Sequence, residues 1–578
     1  MNKFKLVIYG GLAIAFIVVF FRLRAAKNEL AEHGASFSDN TTKIEIDDKN
    51  YQLAMNYWAE MDYTLALDSL SKALEESNNK NGVESLESAL ISQKKGALLL
   101  EIGKYDEAYE YLNNAYVTFN KKLGEKDGNT TIARGQIGVY DIRTGNIERG
   151  LATLDSLYET ETYFWRKVEL IQMEAQCYVE LGNYQVASDL YEALGNMYDG
   201  MGVYNLARVN MINDYACFMM TVGNYPQAIR SFQTAISNWK YLEIDEDSTL
   251  ANIYTNLAQA YGFNGQADMA EETIKKALDI QKRLFGENNI QVAMSYDLTA
   301  KIYDTLGKTE DEKAYYDKAL NTAINAVGEN HYATAVIYYD LGEYFKYNGD
   351  TQKAIENYEK SLEIRKNILG LKSSNTIAGY EALAYVFRTI GELEKARENI
   401  DKAIEISEEL YGRENVYTAK CYETATWIYV DLGELDIAAK YADLALGISD
   451  RQKNNTILDR PYAYQSFGYV KLAKKEYDEA EKYMLKALEL YEASSLDNTE
   501  NIASTKVFLS IIYLNKKDYE NSFSMLTDTE RIIQGKRVNK IIQEYIDEGY
   551  QDLYSVSGEN IDFEEWLSNK KAGISKNE

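Results

Sequence analysis

Five glycines, Gly265, Gly307, Gly349, Gly391 and Gly433, stand 42 residues apart, and Gly286, Gly328, Gly370 and Gly412 fall midway between them. The chain is thus punctuated every 21 residues from 265 to 433, and Asn454 continues the series. Glycine, and after it asparagine, takes the positive φ that ends a helix at low cost. The rhythm predicts helices of roughly 15–18 residues joined alternately by two kinds of short turn. Between the glycines the text nearly repeats: GELEKARENIDKAIEIS at 391–407 returns as GELDIAAKYADLALGIS at 433–449.

Composition agrees with helix. Proline occurs twice, at Pro226 and Pro461, each where a helix should begin. The apolar share of 46% is ample for burial. The net charge of −28 argues against a nucleic-acid-binding face and favours basic partners, or simply a solvated acidic surface. Cys177, Cys217 and Cys421 show no metal-site spacing, and Cys177 and Cys421 lie in apolar runs that suit burial.

The chain opens MNKFKLVIYGGLAIAFIVVFFRLRAAKNE, in which Leu6 to Phe21 carries no charge. Residues 1–26 read as an N-terminal transmembrane helix, 4–23 being its span, that localises the chain to a membrane as a single-pass protein. The competing reading is a cleaved signal peptide, although no small-residue cleavage site follows the apolar core. Residues 27–46 are polar, lack a helical period and read as a tether.

Aligned on the turn glycine, the repeats share more than their length. Around Gly265 the small residues are Ala258, Ala270 and Ala277, with the aromatic Tyr261; around Gly391 they are Ala384, Ala396 and Ala403, with Phe387. Small residues let two antiparallel helices approach at their crossing, and the larger ones beside them fill the gap to the next hairpin. The pattern resembles the tetratricopeptide repeat. The 42-residue period, with LFGENNIQVA, VGENHYATA and YGRENVYTA between hairpins, looks like the kinesin-light-chain type, with Tyr332 where that type usually carries proline. The resemblance implies an all-α, right-handed superhelical solenoid of about twelve hairpins over residues 47–535. Their turns fall at Met61, Gly103, Gly145, Gly182, Gly223, Gly265, Gly307, Gly349, Gly391, Gly433, Lys475 and Lys517. Glu312 stands at a usually small position and predicts a local irregularity. Residues 536–578 read as a capping helix and polar tail.

Little in the sequence points to catalysis. His33 lies in the tether and His331 in an inter-repeat turn, and no phosphate-binding, nucleophile-elbow or metalloprotease motif occurs. The expectation is a protein without enzyme activity or cofactor. The resemblance implies instead a concave groove lined by the first helix of each hairpin, which takes up a protein or peptide. Carried across by register, its lining is Asp297, Tyr339, Glu343, Glu381, Tyr385, Arg388, Glu423, Trp427 and Tyr469, with Asp304, Lys346 and Gln465 at equivalent places. Such a surface suits a basic, partly apolar partner. The family's backbone-holding asparagine is matched only at Asn256, and its carboxylate-clamp set is missing. The function expected is a membrane-anchored interaction scaffold; the alternative is the input module of a signalling system whose output domain is another protein.

Overall fold

The computed structural model describes residues 39–59, 63–161, 163–181, 184–305, 308–451, 460–493, 498–534, 538 and 540–574. The segment expected as an anchor, 1–26, and the turn positions Met61, Gly182, Gly307 and Asn454 lie outside them. The described residues form 26 helices and no strand. They are α1 (Lys49–Ala59), α2 (Tyr63–Asn81), α3 (Leu86–Glu101), α4 (Tyr105–Leu123), α5 (Gly128–Arg143), α6 (Ile147–Thr160), α7 (Phe164–Glu180) and α8 (Tyr184–Met201). Then follow α9 (Leu206–Thr221), α10 (Tyr225–Tyr241), α11 (Ser248–Phe263), α12 (Ala267–Phe285), α13 (Ile290–Thr305), α14 (Thr309–Val327), α15 (Tyr332–Tyr347), α16 (Thr351–Leu369) and α17 (Ser374–Thr389). The last are α18 (Leu393–Tyr411), α19 (Val416–Asp431), α20 (Leu435–Arg451), α21 (Arg460–Ala473), α22 (Tyr477–Glu492), α23 (Thr499–Asn515), α24 (Tyr519–Ile533), α25 (Lys540–Ser557) and α26 (Phe563–Ile574). Helices α1 to α24 pair as twelve consecutive hairpins, the odd-numbered helix first in each.

The glycine rhythm is a rhythm of helix ends. Gly391 and Gly433 take φ of 77° and 78°. The next amide reaches back, Glu392 N to Phe387 O at 3.0 Å and Glu434 N to Tyr429 O at 2.9 Å, which is the Schellman closure of the first helix. Lys475 and Lys517 adopt the same left-handed geometry, φ 60° and 64°, without glycine. Helix crossings need the small residues: a methyl group on Gly342 would sit 2.6 Å from the Tyr358 ring, and Ala396 and Ala403 are fully buried. Pro226 lies in the first turn of α10, where its missing N–H costs nothing. The irregularity expected at Glu312 does not occur. Helix α14 runs unbroken and buries that side chain.

Exposed ion pairs at an interval of 37 residues tie neighbouring hairpins, among them Lys121–Glu84, Lys372–Glu409 and Arg451–Glu414. Each contributes at most about 1 kcal/mol, so they fix stacking register more than stability. Stacking also brings distant hairpins together. The Tyr63 ring in α2 meets Tyr332 in α15 edge-on at 5.1 Å, and Tyr105 in α4 lies 6.0 Å from Tyr411 in α18. A methyl group on Gly103 would sit 3.2 Å from Ser374 Oγ, and one on Gly145 3.2 Å from the Tyr411 carbonyl. The solenoid therefore winds back on itself, and hairpins one to three rest on the turns that flank hairpins eight to ten.

Three expectations need correction. No helix of the described residues is long and apolar enough to cross a membrane, so the expected membrane localisation is withdrawn. Residues 39–46, read as part of a polar tether, pack against the solenoid: they run extended across α5 and α7, and Ile44 and Ile46 join apolar clusters. The C-terminal region holds two helices where one was expected. Trp566 of α26 is buried against Phe523 and Tyr554, so the second helix completes the cap.

Candidate functional site

The residues expected to line the groove sit on successive first helices, and the structure sorts them into three groups. The first is ionic. Asp297, almost wholly buried on α13, pairs with Lys301 Nζ at 2.8 Å, and the same ammonium reaches Asp340 of α15 at 2.8 Å. Burial raises the Asp340 carboxyl and the nearby lysine opposes that rise. These carboxylates are spent on a contact between neighbouring helices. Glu423 of α19 is likewise buried.

The second group surrounds Tyr339 and Glu343 of α15, both buried. Tyr358 OH and Lys346 Nζ donate to Glu343, and the Tyr339 ring lies against Tyr358 at 5.3 Å and under Arg365 at 4.7 Å. Lys346 also lies 5.4 Å from the centre of the half-buried Tyr385 ring on α17, one hairpin along. Glu381 on the same helix is half-buried and lies beside the Cys421 thiol.

The third group is a stack. Arg388 of α17 lies 5.1 Å from the centre of the Trp427 ring, and Trp427 of α19 stacks on Tyr469 of α21 at 4.4 Å. Phe508 of α23 closes on both rings, at 5.5 Å from Trp427 and 5.2 Å from Tyr469. Asp431 ties the stack together, accepting from Arg388 Nε at 2.6 Å and from Tyr469 OH at 2.7 Å. Trp427 is 7% exposed and donates Nε1–H to Ser466 Oγ at 2.8 Å. It is the floor of the stack, whereas Arg388 and Tyr469 are half-buried and reach its surface. Tyr545, 38% exposed on α25, lies close enough to Arg388 and Asp431 to feel both charges.

Sequence register found Arg388, Trp427 and Tyr469. It missed Asp431, Phe508 and Tyr545. Asp431 falls two residues before its turn glycine, outside the register positions used for the groove. Tyr545 belongs to the cap, which does not follow the repeat. His331 is 5% exposed and caps α15, its Nδ1 accepting from Ala333 N–H at 3.2 Å, the structural role expected of it. Cys177 and Cys421 are buried thiols. Asn256, the one match to the family's backbone-holding asparagine, donates to Asn213 Oδ1 of the preceding hairpin at 3.1 Å.

One model of the tetratricopeptide repeat matches residues 249–323, 313–367 and 375–451, and a second model of that repeat matches 461–494. No curated protein matches the chain. Among solved structures, a putative kinesin light chain from Podosopora anserina with tetratricopeptide-like repeats is 18% identical, covers 36% of this chain and 99% of its own, and has a TM-score of 0.33. A Rap protein complexed with competence and sporulation factor is 14% identical, covering 72% of this chain and 99% of its own at a TM-score of 0.39. Yeast Tom70 is 16% identical, covering 81% and 96% at 0.38.

Proposed function

Because this chain is a tetratricopeptide repeat protein with 42-residue repeats, we propose that it is an interaction scaffold which binds a segment of another protein on the concave side of hairpins nine to twelve and the cap. The observation that carries this reading is the convergence of Arg388, Trp427, Asp431, Tyr469, Phe508 and Tyr545 from four successive first-position helices and the first helix of the cap. Aromatic and arginine side chains, partly exposed over a packed floor, are the composition of an interface anchor.

The chemistry defines the partner. Tyr545 and Tyr469 offer ring faces to an apolar or cationic side chain, and Asp431 brings a carboxylate to the same region. With a net charge of −28, the chain attracts a basic segment at long range and repels nucleic acid. Catalysis has no support in this arrangement. Its buried charges are paired with one another, and its tyrosine hydroxyls are held above their ordinary pKa by burial.

The test is an affinity pull-down with the purified chain, repeated with Tyr545→Ala. Tyr545 is exposed, so its removal leaves the stack beneath it in place. A partner retained by the wild type and lost, or weakened at least fivefold, with Tyr545→Ala supports the reading. A partner bound equally by both moves the interface away from this patch.

A further inference from the structure

The bound N-terminal arm has the contacts of a recognised ligand. Thr42 is gripped through its main chain, its N–H donating to Asp127 Oδ2 at 2.9 Å while its carbonyl accepts from Asn129 Nδ2 at 2.9 Å. Its hydroxyl donates to the same Asp127 oxygen at 2.7 Å. Three preceding side chains converge on one guanidinium. Arg166, 2% exposed, donates to Asp39 Oδ1 at 2.8 Å, Asn40 Oδ1 at 2.6 Å and Thr41 Oγ1 at 2.6 Å, and its other partner is Glu161 at 3.0 Å. Asn40 also donates to the Lys126 carbonyl at 2.5 Å.

Beyond Thr42 the arm alternates. Ile44 and Ile46 turn inward, whereas Lys43, Glu45 and Asp47 face solvent, the period of an extended strand. Ile44 joins Leu86 and Leu90 of α3 and Phe119 and Leu123 of α4. Gly128, the first residue of α5, makes the approach possible: a methyl group there would stand 2.2 Å from Thr41 Oγ1 and 2.5 Å from Arg166 Nη2. The surface thus combines a buried arginine, two main-chain contacts, a glycine passage and spaced apolar seats.

We propose that this edge, formed by α3, α4, α5 and α7, is a docking site for an extended segment of the pattern acidic, amide, hydroxyl, hydroxyl, any, aliphatic, any, aliphatic. Residues 39–46 occupy it in cis as an exchangeable ligand. The arm joins α1 through Asp47 and Asp48 alone. So short a link holds it at an effective concentration on the order of millimolar, and a competing segment in trans gains access only when the arm is weakened. The arm then regulates a second interaction surface, separate from the concave patch.

The probe is a fluorescein-labelled synthetic peptide of residues 36–47, titrated into the full chain and into its Ile44→Asp/Ile46→Asp variant. The variant ejects the arm but leaves every residue of the seat intact. Tight, saturable binding to the variant is expected, with at least tenfold weaker apparent affinity for the wild type. Adding Asn129→Ala or Arg166→Ala to the variant should each lower peptide affinity, with helix content by circular dichroism retained. If the double-Asp variant loses its helix content, Asp39→Lys/Thr42→Pro replaces it, since that pair breaks the arm's polar grip without placing charge on the apolar seats. A folded variant that does not bind the peptide, or binds it equally well with Arg166→Ala, overturns the proposal and leaves the arm as a fixed structural cap.

Discussion

Two lysines show how strongly the repeat dictates a backbone conformation. Lys475 and Lys517 hold φ of 60° and 64°, where the other described turns of their kind use glycine. A side chain in that region costs roughly 1–2 kcal/mol. Lys475→Gly and Lys517→Gly should therefore each raise stability by about 1 kcal/mol, seen as a higher denaturant midpoint with an unchanged slope. The turn register was legible in the sequence because one residue type answers one steric demand. The stack was legible only in part. Equal spacing placed Trp427 and Tyr469 on equivalent helices, but spacing does not say how far a ring sinks between them. Trp427 is 7% exposed, stacked and hydrogen-bonded. Trp427→Ala should cost about 3–5 kcal/mol in chemical denaturation, and any binding defect it shows must be read through that loss.

At the scale of the helix pair, stability resides in the crossing of two helices and in the seat each pair offers the next. Ala396 is fully buried in the crossing of α17 and α18. Ala396→Phe should overpack it by about 1–3 kcal/mol, lowering the midpoint of thermal unfolding followed by circular dichroism. The paired helices themselves were legible because amphipathic period and punctuation coincide. The arm was not. Two aliphatic residues at 44 and 46 are too short a pattern to signal an extended segment, and the seat of Ile44 comes from α3 and α4, far along the chain. The second cap helix was missed for a similar reason: Phe563 and Trp566 make a core only where Phe523 and Tyr554 already stand.

The whole molecule carries the property that no local pattern encodes. A small rotation per hairpin accumulates until the second superhelical turn touches the first. At this seam Glu101 is half-buried, accepting from Trp58 Nε1 at 2.8 Å, with Tyr63, Tyr332 and Arg143 around it. Burial pushes its carboxyl from an ordinary 4.5 up to about 8, although Trp58, Tyr63 and Arg143 pull the other way. A raised folded-state pKa favours the protonated fold. Its contribution is therefore full below pH 4.5 and falls as pH rises towards about 8. Glu101→Gln should flatten the loss of stability across that window, measured by denaturation at intervals of pH.

The contact of the early hairpins with the later ones is the central feature of the whole molecule, and one cross-link tests it most directly. A Cβ built on Gly103 lies 4.0 Å from the Ser374 Cβ, within the span of a disulfide. The Gly103→Cys/Ser374→Cys chain, oxidised under native conditions, should form an intramolecular bond between hairpins two and nine. Mass spectrometry should recover the linked peptides, and X-ray scattering should be unchanged on reduction. Two freely alkylated thiols in the folded chain, or links found only between molecules, would contradict the account.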